Sequence, residues 1–159
     1  MVFVALSLWV GIGCLNNRQI KQVSSITATS EVGSVTRLLQ SEHRYIRLAT
    51  VEQLHGIPLS EGSKQELTEP LLELLYNDNE WCPIRGRISQ VLGEWQRQEA
   101  TEGIIGAMES CDDESRYWML LGLEPMSIVD PLALGAIQTL IYDTDIFIRT
   151  EASKWLESR

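Results

Sequence analysis

Few residues of this sequence have the types and spacing that catalysis requires. The two histidines, His43 and His55, are twelve positions apart, and neither stands at a catalytic or metal-ligand spacing from a serine, cysteine or carboxylate. The phosphate-binding GxxxxGK[ST] loop, the GxGxxG turn, the HExxH pair and the GxSxG nucleophile turn are all missing. We therefore expect a protein that is not an enzyme and that holds no cofactor.

A run of carboxylates, Asp112, Asp113 and Glu114, is the cluster whose composition best suits a hard cation. It lacks the spaced oxygen ligands of a calcium-binding loop. Adjacent carboxylates are more typical of a helix start, where they interact with free N–H groups and the helix dipole. The sequence therefore predicts no metal site.

The chain contains three cysteines, Cys14, Cys82 and Cys111. No two of them have the short spacing of a zinc site or a redox CxxC motif, and three cannot build a disulfide framework. We expect Cys82 and Cys111, near predicted helix turns, to be free thiols. A bond between them is the alternative if the domain is exported.

Residues 1–15 are predicted to be a signal peptide or membrane anchor. The run VFVALSLWVGIGCL (Val2–Leu15) has no charge and the length of a signal-peptide core, shorter than the roughly 20 residues that span a bilayer. Gly11 and Gly13 form a small-x-small cleavage pattern before Cys14. We expect an envelope protein, membrane-anchored or exported, with a cytoplasmic location as the alternative.

Cys14 also resembles the lipidated cysteine of bacterial lipoproteins. Gly11 and Ile12 depart from that pattern, which has an aliphatic and then a small residue, and no Lys or Arg precedes the run. Lipidation of Cys14, plain cleavage and an uncleaved helix that caps the domain all stay open. Residues 16–33 are polar and rich in Ser and Thr, and they are predicted to be a linker.

A similar phrase recurs four times within residues 34–159. In each copy two apolar residues end one helix, a polar turn follows, and a second helix carries an arginine: Arg47, Arg85, Arg116 or Arg149, at intervals of 38, 31 and 33 residues. Each interval suits one helical hairpin. Apolar residues fall mainly at −1, +3, +4 and +7 from the arginine, on one helix face. The sequence therefore predicts an all-α fold, an α-solenoid of about four antiparallel helical hairpins.

The phrase PLLELLYND (Pro70–Asp78), followed by IRGRISQVLGEW, resembles the HEAT repeat family, and in particular the HEAT-like repeats of the phycobilisome-lyase type. The resemblance covers residues 34–159 and implies architecture more than activity. In that family a turn aspartate and the second-helix arginine form a hydrogen-bonded ladder between repeats. The resemblance implies such a structural ladder here, weaker at its N-terminal end, between the four arginines and Asp78, Asp112, Asp143 and Asp145.

The second helices are expected to line the concave side, with positions +2 and +5 from each arginine facing solvent. Three copies place mainly polar residues there, but the third places Trp118 and Leu121. We predict that these two form the apolar centre of a protein-binding surface flanked by Arg87, Gln90 and Glu151. A rotated third helix that buries Trp118 and Leu121 is the alternative.

The formal net charge of −9 argues against nucleic acid as a partner, because an acidic protein repels phosphate. Together these patterns predict a monomeric, non-catalytic protein-binding scaffold or adaptor that is exported or tethered to a membrane. A phycobilisome-lyase-like factor acting on bilin attachment and a cytoplasmic HEAT scaffold are the alternatives.

Overall fold

A computed structural model describes residues 17–159, so the predicted leader and Cys14 lie outside the described residues. Within this range the chain is helical, with no strand, which confirms the all-α class. Its helices are α1 (Asn17–Ser24), α2 (Val32–Leu39), α3 (Arg44–Leu54), α4 (Glu61–Leu75), α5 (Cys82–Glu94), α6 (Thr101–Ser110), α7 (Asp113–Met126), α8 (Pro131–Leu140) and α9 (Ile146–Glu157). A short 3-10 turn, Gln98–Ala100, leads into α6. None of these described helices is long and apolar enough to cross a bilayer.

The helices from α2 onward pack as four consecutive pairs. α2 packs on α3, α4 on α5, α6 on α7, and α8 on α9. The first helices of the pairs also contact one another in order, and the second helices do the same. A single cluster of buried apolar side chains, from Val23 to Ala152, lies within this arrangement.

Polar side chains set the starts of four helices. Ser60, Asp112, Asp130 and Asp145 each accept a hydrogen bond from a main-chain N–H two or three residues further along, in the helix that follows.

Glycines let α5 and α7 approach more closely than side chains would permit. A Cβ added at Gly93 would overlap the backbone of Gly122, and one added at Gly122 would overlap the Ser89 carbonyl. A Cβ at Gly86 would lie 3.0 Å from the Ser115 carbonyl oxygen. These contacts bring the two middle pairs together nearly backbone to backbone.

The segment predicted as a polar linker, residues 16–33, differs from that expectation in its described part. It forms α1 and the start of α2, and α1 packs on α2 and α3. Val23 and Ile26 are buried in the common core, with Ile20 packed against it. These three apolar residues, two in α1 and one just after it, follow a three-residue spacing and attach the otherwise exposed helix to the first pair.

Candidate functional site

Arginines of the second helices bond the turn of their own pair. Each of three arginines donates to main-chain carbonyls at the end of its first helix or in the following turn: Arg47 to Ser41 and Glu42, Arg85 to Leu75, and Arg149 to Asp143 and Thr144. These carbonyls have no partner within the first helix, so the guanidinium satisfies them. The repeated arginine therefore closes the turn, a role that the sequence did not predict.

The first and second pairs are joined by an ion pair between Arg47 and Glu80. Nε and Nη2 of Arg47 donate to the two carboxylate oxygens at 2.6 and 2.7 Å, a bidentate geometry. The Glu80 side chain is only 2% exposed. The expectation that the ladder is weaker at its N-terminal end is therefore wrong. Glu80 was missed because the resemblance implied aspartates as the partners of the arginines.

The third and fourth pairs are joined by Arg116 and Asp143. Nη2 of Arg116 donates to Asp143 at 2.8 Å and lies equally close to Asp113 of its own helix. Asp112 and Asp145, expected in the ladder, instead cap α7 and α9.

The second and third pairs are joined by a disulfide between Cys82 and Cys111, with Cα atoms 5.5 Å apart. The expectation of free thiols is wrong, and the alternative bond is present. Cys111 stands five residues before Arg116, just as Glu80 stands five residues before Arg85. The turn of the second pair is therefore linked to the preceding pair by a carboxylate, and the turn of the third pair by a covalent bond.

Arg85 contributes polar contacts at the same junction. It donates to the Ser110 hydroxyl of the next pair at 3.2 Å and reaches Asp78 at 3.4 Å. The Asp78 side chain is 90% exposed, so it adds little to this link.

The Trp118 ring of α7 lies against a guanidinium from the neighbouring second helix, α5. The Arg87 guanidinium stacks 3.5 Å from the centre of the Trp118 ring and donates to the Gln90 side chain at 3.2 Å. Trp118 and Leu121 are both half-buried, which is intermediate between the predicted solvent exposure and the alternative of burial. Three of the five residues predicted for the surface thus meet directly.

We call this surface the Trp118 face, formed by Glu52 of α3, Arg87 and Gln90 of α5, and Trp118, Leu121 and Glu124 of α7. Its charged groups are partly withdrawn from water. Burial raises the pKa of Glu52, although Arg87, 3.9 Å away, opposes the rise. Burial likewise lowers the pKa of Arg87, with Glu52 and Glu114 opposing that change.

Glu124 extends the Trp118 face towards α9. Burial, and secondly the negative charge of Glu151, raise the pKa of Glu124 to about 7. Glu151 itself pairs with Lys154 at 3.2 Å. The predicted flanking residue Glu151 therefore acts on this face through its charge. Displaced pKa values gathered on one surface are typical of functional sites.

Histidines and carboxylates form no metal centre within residues 17–159, where no three His, Cys, Asp or Glu side chains are grouped for an ion. His55 Nε2 lies 2.8 Å from a Glu94 carboxylate oxygen at the surface.

No protein-family model matches the chain, and no curated protein matches its sequence. The resemblance to HEAT-like repeats therefore stays a prediction.

Proposed function

We propose that this chain is a non-catalytic protein-binding scaffold, a short α-solenoid of HEAT-like hairpins that holds its partner on the Trp118 face. The carrying observation is the stacked pair of Arg87 and Trp118. Tryptophan and arginine are the residues most often found at the energetic centres of protein interfaces, particularly where they are partly desolvated.

The geometry also supports a surface that is ordered before binding. Gln90 accepts from Nη1 of Arg87, and a Glu52 carboxylate oxygen lies 3.9 Å from its Nε, so two neighbouring side chains help to hold the guanidinium over the ring. A side chain that is already immobilised loses less conformational entropy when a partner arrives. The two ordered rows of helices support the solenoid architecture that presents this face.

Site-specific photo-crosslinking tests the proposed face. A photoreactive amino acid at Gln90 should capture a recurring partner protein in the native cell, whereas the same group at the exposed Gln65 of α4 should not. Trp118→Ala should remove the adduct while the helical circular dichroism and cooperative melting are retained. Equal capture from Gln90 and Gln65, or an adduct that persists in a folded Trp118→Ala protein, would contradict the proposed face.

The proposal includes location in the cell envelope, as an exported or membrane-tethered monomer. The bond between Cys82 and Cys111 supports an oxidising compartment, because disulfides are rare in the reducing cytoplasm. The net charge of −9 favours a chain that stays soluble and monomeric.

The location is tested by expressing the full-length chain in a diderm bacterium, alkylating free thiols at lysis, and measuring intact mass in each fraction. A chain that begins at Cys14, carries acyl groups and sits in the membrane pellet would identify a lipoprotein. A soluble chain that still begins at Met1, with Cys82 and Cys111 both alkylated, would rule out export.

A further inference from the structure

A second surface, next to the Trp118 face, lies between the first half of α7 and α9. It is an open groove of about 840 Å³, and its apolar lining comes from Tyr117, Ile146 and Phe147. Ile146 is 61% exposed and Phe147 is 75% exposed. Large apolar side chains this exposed, side by side in a concave surface, are typical of a binding site.

The rim of this α7/α9 groove is acidic. Four carboxylates line it, from Asp113, Glu114, Asp145 and Glu151, against a single ammonium from Lys154. Asp113 forms an ion pair with Arg116, and Glu151 forms one with Lys154. The Glu114 side chain is exposed at the start of α7. The groove therefore keeps an excess of negative charge around an apolar floor.

The positive ends of α7 and α9 do not reverse this charge. Asp112 accepts the Ser115 N–H, and Asp145 accepts the N–H groups of Phe147 and Ile148. Both helix starts therefore carry a bonded carboxylate that offsets the local dipole. An incoming anion would therefore meet the carboxylates of the rim.

We propose that the α7/α9 groove binds a basic segment of another protein, in which an aromatic or aliphatic anchor is flanked by lysine or arginine. The anchor packs against Phe147, Ile146 and Tyr117, and the flanking cations face the carboxylates of the rim. Charge complementarity selects this occupant, because an acidic segment or an anionic bilayer surface would be repelled. A second copy is disfavoured for the same reason, since this chain carries a net charge of −9.

The groove adjoins the Trp118 face, because Glu151 lines the groove and also acts on Glu124. The Tyr117 ring also meets the Trp118 ring edge to face, with the ring centres 5.6 Å apart. One partner could cross both surfaces, yet the proposal does not depend on the Trp118 face, because the anchors Ile146 and Phe147 are not part of that face.

Fluorescence anisotropy with three labelled peptides tests the proposal directly. The first peptide carries phenylalanine and leucine anchors among lysines, the second replaces every lysine by glutamate, and the third replaces every anchor by serine. Only the first should bind, and its affinity should fall as NaCl is raised, because salt screens the exposed carboxylates. Binding of the glutamate or the serine peptide with equal affinity, or no binding of the first at about 1 mM protein, would overturn the proposal.

Substitutions in the groove test whether the peptide binds there. Phe147→Ala should weaken binding of the lysine peptide about tenfold or more through lost apolar contact, and Thr150→Lys should weaken it by adding a cation to the lining. Tyr142→Ala, at an 82% exposed residue outside the groove, is the matched control and should change nothing. Unchanged binding to a folded Phe147→Ala protein would refute the site.

The same titration with Arg87→Ala separates the two surfaces, because it removes the guanidinium of the Trp118 face and leaves the contact between Tyr117 and Trp118 in place. The peptide affinity should not fall in that variant, so that a failure of the Trp118 face and a failure of the groove give different results. Loss of peptide binding in Arg87→Ala but not in Phe147→Ala would assign the binding to the Trp118 face and overturn the groove.

Discussion

At the scale of single residues, buried charge is concentrated in the bonds between pairs. The Arg47 side chain is 17% exposed and that of Glu80 only 2%. Because both charges are largely withdrawn from water, each needs the opposite charge of the other to compensate for the lost hydration. Asp78, although it was expected to belong to the same ladder, faces solvent. Burial, rather than residue type, therefore separates a carboxylate that stabilises the fold from one that does not.

Glu80→Gln should lower the free energy of unfolding by about 3 kcal/mol, because it leaves the Arg47 guanidinium mostly buried without its counter-charge. Urea denaturation followed by circular dichroism measures the change. Asp78→Asn is the matched control, since it neutralises an exposed carboxylate and should leave the midpoint unchanged. Equal midpoints for Glu80→Gln and wild type would show that Glu80 does not stabilise the junction.

Glu124 should make the stability of the protein depend on pH. Its pKa is about 7 in the folded state against 4.5 ordinarily, so the folded chain holds a proton that the unfolded chain releases between these values. This contribution to stability is complete below pH 4.5 and is lost as the pH rises through 7. Between pH 5 and pH 8, the Tm of the wild type should therefore fall relative to that of Glu124→Gln.

Glu102→Gln, at an exposed glutamate of α6, provides the control for this comparison and should follow the wild type at every pH. A difference in Tm between Glu124→Gln and the wild type that stays constant from pH 5 to pH 8 would show that the carboxyl of Glu124 has an ordinary pKa.

The residues of the candidate site were only partly predictable from the sequence. Arg87, Gln90 and Trp118 were found because helical periodicity places +2 and +5 on one side of each second helix. Glu80 was not expected and the Cys82–Cys111 bond stood only as the alternative to free thiols, because both contacts join parts of the chain about 30 residues apart. Local periodicity cannot place such turns against each other, whereas packing of the pairs does.

At the scale of elements, the contact between α5 and α7 depends on missing side chains. Gly122 faces the Ser89 carbonyl, and Gly93 faces the Gly122 backbone, so the two helices meet where neither has a Cβ. The contact between the first and second pairs differs, because α3 and α5 bring no such glycines together in the described range.

Gly122→Ala should lower the free energy of unfolding by about 2 kcal/mol or more, since the new methyl group would overlap the Ser89 backbone and force the helices apart. Thermal and urea unfolding measure the loss. The matched control is Gly106→Ala in α6, where an added Cβ meets nothing within 4 Å, and it should stabilise the protein by about 0.5–1 kcal/mol. A Gly122→Ala protein as stable as Gly106→Ala would contradict the close approach.

Most of the helices in the repeat region could be predicted, because apolar residues recur there with a helical period. α1 was missed, since its sequence NRQIKQVS is polar and only a narrow apolar stripe contacts the first pair. A helix this short gains its stability from packing more than from intrinsic propensity, so its own residues carry a weak signal.

At the scale of the whole molecule, one covalent bond joins the N-terminal half to the C-terminal half. The disulfide closes a loop of 29 residues that contains α5 and α6. In the chain-entropy account such a bond restricts the unfolded state and stabilises the folded one. Its stabilising effect is therefore present only in the oxidised protein.

The double variant Cys82→Ala/Cys111→Ala should lose about 3 kcal/mol of stability under non-reducing conditions. Under a reducing agent, the wild type should fall to nearly the same urea midpoint, and this convergence is the control for side effects of the substitutions. A wild type whose midpoint does not respond to reduction, with both thiols open to alkylation in the folded protein, would show that the bond does not form.

The position of the disulfide also bears on how the chain would respond to mechanical load. A pull applied through the two ends would pass directly from Cys82 to Cys111, so the residues between them would carry no tension. About 100 Å of extended chain would be withheld from stretching while the bond is intact. Protease nicks within α6 would likewise leave the two fragments attached. A domain that is held at one end and loaded at the other would thus stay in one piece after damage to its centre.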